Sequence, residues 1–167
     1  MSLFPLQFQI VSDLHLETPI VRPSYPTYNL HIQASNLCLL GDIGLAKDAG
    51  LFVFLRGLLT SSPGTRIFYV LGNHEAYQLS LQDAVRKLRA FEEEARKKYG
   101  GRFMFLHRNR YNVDGSTTIF GCTLWSTVAP QQMIDMQTRL TDFHEQRGIR
   151  IGRWSRIWKS TAEMYAG

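Results

Sequence analysis

Apolar positions recur along this chain in two rhythms: short continuous runs, and one long 3.6-residue period. Phe8, Ile10, Leu14 and Leu16 anchor an expected strand over residues 8–16. Pro19, Pro23 and Pro26 follow, interleaved with Tyr25 and Tyr28, and exclude a central strand or a helix interior there. The run Asn36–Leu40, ended by Gly41, reads as a strand buried on both faces. Asp48 stands where a cap would open a helix through Leu59, and the Ser61-Ser62-Pro63-Gly64 segment would stop it. Residues 66–71 read as another buried strand.

The clearest helix spans 81–99. Leu81, Ala84, Val85, Leu88, Phe91 and Ala95 keep the helical period, and Ser80 with Asp83 forms a capping box. Gly100 and Gly101 end it, and Glu92, Glu93 and Glu94 fall on its solvated face. Strand 103–106 and a hairpin around Asp114-Gly115, with a second arm over 117–125, come next. A last helix is expected over 131–144. This alternation predicts an α/β fold with a mainly parallel sheet flanked by helices.

Composition narrows the field. The chain has 167 residues, 44% apolar and 20% charged, which suits one globular domain over 1–167. Its longest apolar run, residues 51–55, is far short of the ~20 needed to cross a bilayer. The first residues lack the pattern of a signal peptide, and Cys38 and Cys122 read as buried thiols rather than a disulfide framework. An intracellular, cytoplasmic protein is expected. The net charge is +5, but more than half of it falls within residues 139–167, so nucleic acid is not the expected partner.

In an open α/β sheet, ligands gather at the carboxyl ends of strands. Here those ends carry Asp13-Leu14-His15, Gly41-Asp42 and Gly72-Asn73-His74-Glu75. In extended backbone Asp13 and His15 would point to one face. This set suits a two-metal centre acting on a phosphoester, where a bridging carboxylate holds cations ~3.5–4 Å apart and a hydroxide generated on them attacks phosphorus. Asp42 is the natural bridge, Asp13 and His15 complete one cation's ligands, and Asn73 serves the other. His74 would protonate the leaving oxygen or stabilise charge on the equatorial oxygens. Mixed Asp, His and Asn donors suit Mn, Fe or Zn.

Together these segments resemble the opening motifs of the calcineurin-like metallophosphoesterase superfamily: Asp-x-His, Gly-Asp and Gly-Asn-His-Glu. The segment Phe120-Gly121-Cys122-Thr123-Leu124-Trp125 is similar to one in small members. The resemblance implies the N-terminal part of an αββα sandwich, two divalent cations and a phosphomonoester or phosphodiester substrate. It also implies two later motifs, Gly-His or His-His and then Gly-His-x-His, which this sequence lacks. Only His15 and His74 of its five histidines (the others being His31, His107 and His144) fall in a family motif. The first metal site would therefore lack one ligand, and the second would keep Asp42 and Asn73.

Three expectations follow: a degenerate, non-catalytic binding or regulatory relative; a homo-oligomer whose partner supplies missing groups; or a truncated domain. Loss of the second sheet would bare apolar surface, which favours a homo-oligomer. Elsewhere, His31, His107 and His144 read as surface residues. Trp125, Trp154 and Trp158 read as packing groups, and Tyr25 and Tyr28 as the edge of a substrate entrance.

Overall fold

The computed structural model describes residues 6–125 and 129–145. Buried Leu37, Cys38 and Leu39 occupy β2 (Asn36–Leu40), an interior strand with β1 (Phe8–Val11) on one side and β3 (Arg66–Val70) on the other. With β4 (Phe103–Phe105) they make a four-stranded parallel sheet in the order β1-β2-β3-β4. One row of the register runs Ile10, Cys38, Phe68 and Met104. The fold is α/β, as the alternation of elements predicted.

Alternation along each strand divides the sheet into two faces. Leu37, Leu39, Ile67, Tyr69, Phe103 and Phe105 form one core with helices α1 (Ala49–Ser61) and α2 (Leu81–Lys98). Cys38, Phe68, Val70, Met104 and Leu106 face the other way. They are covered through Tyr111, Val113 and Ile119 of the hairpin formed by β5 (Asn109–Asn112) and β6 (Thr118–Gly121). Toward β1 that second face opens: Ile10 is 68% exposed and Leu40 45%.

Local chemistry explains several departures from the expected elements. The first strand stops at Val11 because Asp13 and His15 adopt positive φ, so the extended backbone expected to align them is absent. Asp48 precedes α1 but makes no capping bond with its side chain; it accepts a hydrogen bond from the Tyr25 hydroxyl at 3.3 Å instead. Ser80 does cap α2, its hydroxyl accepting from the Asp83 N–H at 3.1 Å. The second hairpin arm ends at Gly121, and Cys122 just beyond is only half-buried.

The expected last helix is broken into a 3-10 turn (Pro130–Gln132), α3 (Met133–Arg139) and α4 (Asp142–Glu145). Glu92 and Glu94 are not simply solvated. Glu92 accepts from the Phe105 N–H at 2.7 Å, and Glu94 takes two bonds from Arg56 of α1. His107 is half-buried, its ring parallel to Phe105, rather than a surface residue. Trp154, Trp158 and most of the basic C-terminal stretch lie outside the described residues. Among the described residues no helix is long and apolar enough to cross a membrane.

Candidate metal centre

The loops leaving β1, β2 and β3 are drawn together by their backbones. The Asp13 N–H donates to the Gly41 carbonyl at 3.1 Å, and the His15 N–H to the Asp42 carbonyl at 2.9 Å. Asp13, His15 and Asp42 all sit at positive φ, 55°, 47° and 55°. Non-glycine residues enter that region rarely, at about 1–3 kcal/mol each, and such strain concentrates at ligand sites.

Two glycines make room for this arrangement. A Cβ on Gly41, which has φ 90°, would stand 2.6 Å from the Gly72 nitrogen, and one on Gly72 would stand 2.2 Å from Asp42 Oδ1. The Asp42 carboxylate thus fills the space a Gly72 side chain would need. Its Oδ1 also accepts the His74 N–H at 2.9 Å, which fixes its direction.

Donor atoms of Asp13, His15 and Asp42 lie within 4.8 Å of one another, and those of His15, Glu17 and His74 form a second such group. The left-handed turns therefore achieve what an extended strand was expected to do for Asp13 and His15. One imidazole and two carboxylates match the donor chemistry of a divalent transition metal, so these residues fit the cation that the sequence implies. Neither group includes His31, His107 or His144.

Asn73 is oriented from its nitrogen end, which donates to Asp142 Oδ1 at 2.7 Å and to the Tyr77 hydroxyl at 3.0 Å. Tyr77 in turn donates to Asp142 at 2.5 Å. Burial, reinforced by the Asp142 carboxylate, pushes the Tyr77 hydroxyl above its ordinary range. Asp142 comes from the opposite end of the chain, so no local motif announces it.

Beneath the site lies Glu75, fully buried. Its carboxylate accepts from four donors: the backbone N–H groups of Gly72 (2.8 Å), Asp42 (3.1 Å) and Ile43 (2.9 Å), and the Tyr69 hydroxyl (2.7 Å). Burial pushes this carboxyl up, and the bonds from Tyr69, Ile43 and Gly72 pull it back. Among the described residues Glu17 is the other buried acid. Its Oε1 lies 2.8 Å from His74 Nδ1 and 3.4 Å from His15 Nδ1. The two imidazoles meet edge to face at 4.3 Å, and Tyr77 stacks on His74. Glu17 was invisible to motif reading; its one sequence signal is its place two residues after His15.

A cavity of about 860 Å³ opens beside His74 and Glu17. Ile20, Val21 and Val53 give it apolar wall, and Arg22 and Lys47 give it positive charge. Tyr25 lines it from the core, its hydroxyl accepting from the Leu45 N–H at 2.9 Å.

No protein-family model matches the sequence. Uncharacterized protein L509 of Acanthamoeba polyphaga mimivirus is 30% identical over 126 residues, 72% of this chain and 42% of the relative. The chain thus spans less than half the length of that relative. Among solved structures, phosphopantetheinyl hydrolase (PptH) from Mycobacterium tuberculosis superposes with a TM-score of 0.57 at 12% identity. The match covers 95% of this chain and 61% of that one, and it establishes the α/β fold. The structural neighbour is a hydrolase by name.

Proposed function

We propose that the chain is a phosphoesterase-type domain of the calcineurin-like kind, hydrolysing a phosphomonoester or phosphodiester with the help of divalent cations. The observation that carries this reading is the convergence of Asp13, His15 and Asp42 within 4.8 Å at the carboxyl ends of two neighbouring strands, with His74 beside them. Asp13, His15 and Asp42 would hold one cation; Asp42 and Asn73 would contribute to a second. Bound there, such cations supply an activated water and neutralise charge on the phosphoryl oxygens.

The protein's own groups supply the rest. His74 turns Nδ1 toward Glu17, which leaves Nε2 to face the departing alcohol oxygen; the doubly protonated ring gives up its Nε2 proton there and keeps the one on Nδ1. Tyr77 stacks on the His74 ring and limits its rotation. Arg22 and Lys47 attract the anionic ester into the cavity, and Ile20, Val21 and Val53 accept an apolar alcohol portion.

Hydrolysis of aryl phosphate mono- and diesters by protein stripped of metal and reloaded with Mn, Zn or Fe tests this. Activity should require the cation and fall at least about 100-fold in Asp42→Ala. Absence of turnover at every loading would sink it. A second reading, a non-catalytic binding domain, draws support from the short donor set of the second cation, Asp42 and Asn73; metal binding without turnover would favour it.

A further inference from the structure

Glu17 presents a puzzle that its bond to His74 alone does not resolve. It is 7% exposed, and its Oε2 is buried without a hydrogen-bond partner among the described residues. A buried carboxylate oxygen with no donor is costly, and native proteins keep such groups only for a reason. Its other oxygen faces Nδ1 of both His15 and His74. A carboxylate accepts hydrogen bonds and donates none when ionised, so each ring that faces it must carry its proton on Nδ1.

We propose that Glu17 is a shared positioning residue, one buried carboxylate that sets both imidazoles in the same tautomer and turns both Nε2 atoms toward the reaction site. This inference rests on the phosphoesterase reading for its purpose, but not for its geometry. On His15, a proton held at Nδ1 leaves the Nε2 lone pair for the cation shared with Asp13 and Asp42, an arrangement in which an outer carboxylate orients a ligating histidine. On His74, the same proton position leaves Nε2 as the atom that exchanges protons with the leaving group. The edge-to-face contact of the rings at 4.3 Å follows from both reaching one oxygen.

The geometry also makes an economy visible. The Asp13-Leu14-His15 turn places Glu17 on the same loop as one of its histidines, and it reaches 57 positions along the chain to the other. A single rigid loop therefore couples the ligand His15 to the proton donor His74.

Nitrogen-15 spectra of the two imidazoles in the full chain read the tautomers without any need for turnover. The wild type should show protonated Nδ1 on both rings, and an unprotonated Nε2 on His15. Glu17→Leu should move protons to Nε2 on both and weaken Mn and Zn binding about 10–100-fold, the range seen when outer partners of metal ligands are removed. Glu17→Gln, nearly isosteric, keeps an acceptor oxygen and guards against a folding failure. It should hold His74 in the Nδ1–H form while weakening metal binding about 10-fold.

If aryl phosphates are hydrolysed, both variants should lose more rate on esters with poor leaving groups than with good ones, since proton delivery by His74 matters most there. An absence of hydrolysis by the wild type would count against the phosphoesterase reading, while the spectra and affinities would still decide the role of Glu17. Wild-type tautomers on Nε2, or unchanged spectra and metal affinity in both variants, would overturn it. So would Zn-induced shifts at His74 Nδ1, which would make Glu17 and His74 ligands themselves.

Discussion

At the scale of single residues, the site depends on what is missing as much as on what is present. Gly72 has no side chain because the Asp42 carboxylate stands where one would go, 2.2 Å from the position of its Cβ. Gly72→Ala should displace Asp42 and lower metal affinity about 10–100-fold with the fold retained, measured by calorimetric titration with Mn or Zn. That Asp13, His15 and Asp42 would come together was legible in the sequence, because strand ends and spacing mark them. Glu17, Tyr69 and Asp142 were not, since a residue's burial and its partners across loops leave no local pattern. Glu75 stood within a recognised motif, yet its task became clear only with its four donors in view.

Among elements, the legible parts were those with long periodicity or continuous apolar runs: α2 and strands β2 and β3. The end of β1 and the break after α3 were misjudged because tertiary bonds overrode the pattern. Asp13 and His15 bond to the β2 loop instead of extending their strand, and Asp142 reaches Asn73 instead of continuing a helix. The two helices are tied by Arg56 of α1, which donates to both oxygens of Glu94 of α2 at 2.9 and 2.7 Å. Those bonds hold the Glu94 carboxyl at about 2, well below its ordinary 4.5. The stabilisation is therefore complete above about pH 4.5 and is lost as pH falls toward 2. Both side chains are partly exposed, so the pair contributes about 1 kcal/mol at neutral pH. Arg56→Ala should cost that much in urea unfolding at pH 7, and the difference should fall by about half between pH 5 and pH 3.

At the scale of the whole molecule, among the described residues, one face of the sheet is packed by helices and the other is partly bare. The two helices pack on one face. On the other, Ile10 (68%), Phe120 (64%) and Leu124 (71%) remain exposed, and Leu40, Phe120 and Leu124 line one groove of about 590 Å³. Apolar surface of this kind marks an interaction face. We propose that a second copy of the chain covers it. Sedimentation at micromolar concentration should give a dimer or larger species, and Ile10→Lys should shift it toward the monomer. A monomeric wild type would end this proposal. The parallel order of the sheet was readable from the rhythm of strands and helices. Which parts of its second face stay bare was not, because that depends on where the β5–β6 hairpin settles.

Glu75 gives the site floor an unusual kind of cohesion. The amides of Asp42 and Ile43, from the loop after β2, and of Gly72, from the loop after β3, close on one carboxylate that the β3 loop itself carries, so the two loops share a single clasp. Lifting the β2 loop breaks both of its amide bonds to Glu75 and leaves that buried carboxylate with fewer donors, which is a penalty against opening the centre from that side.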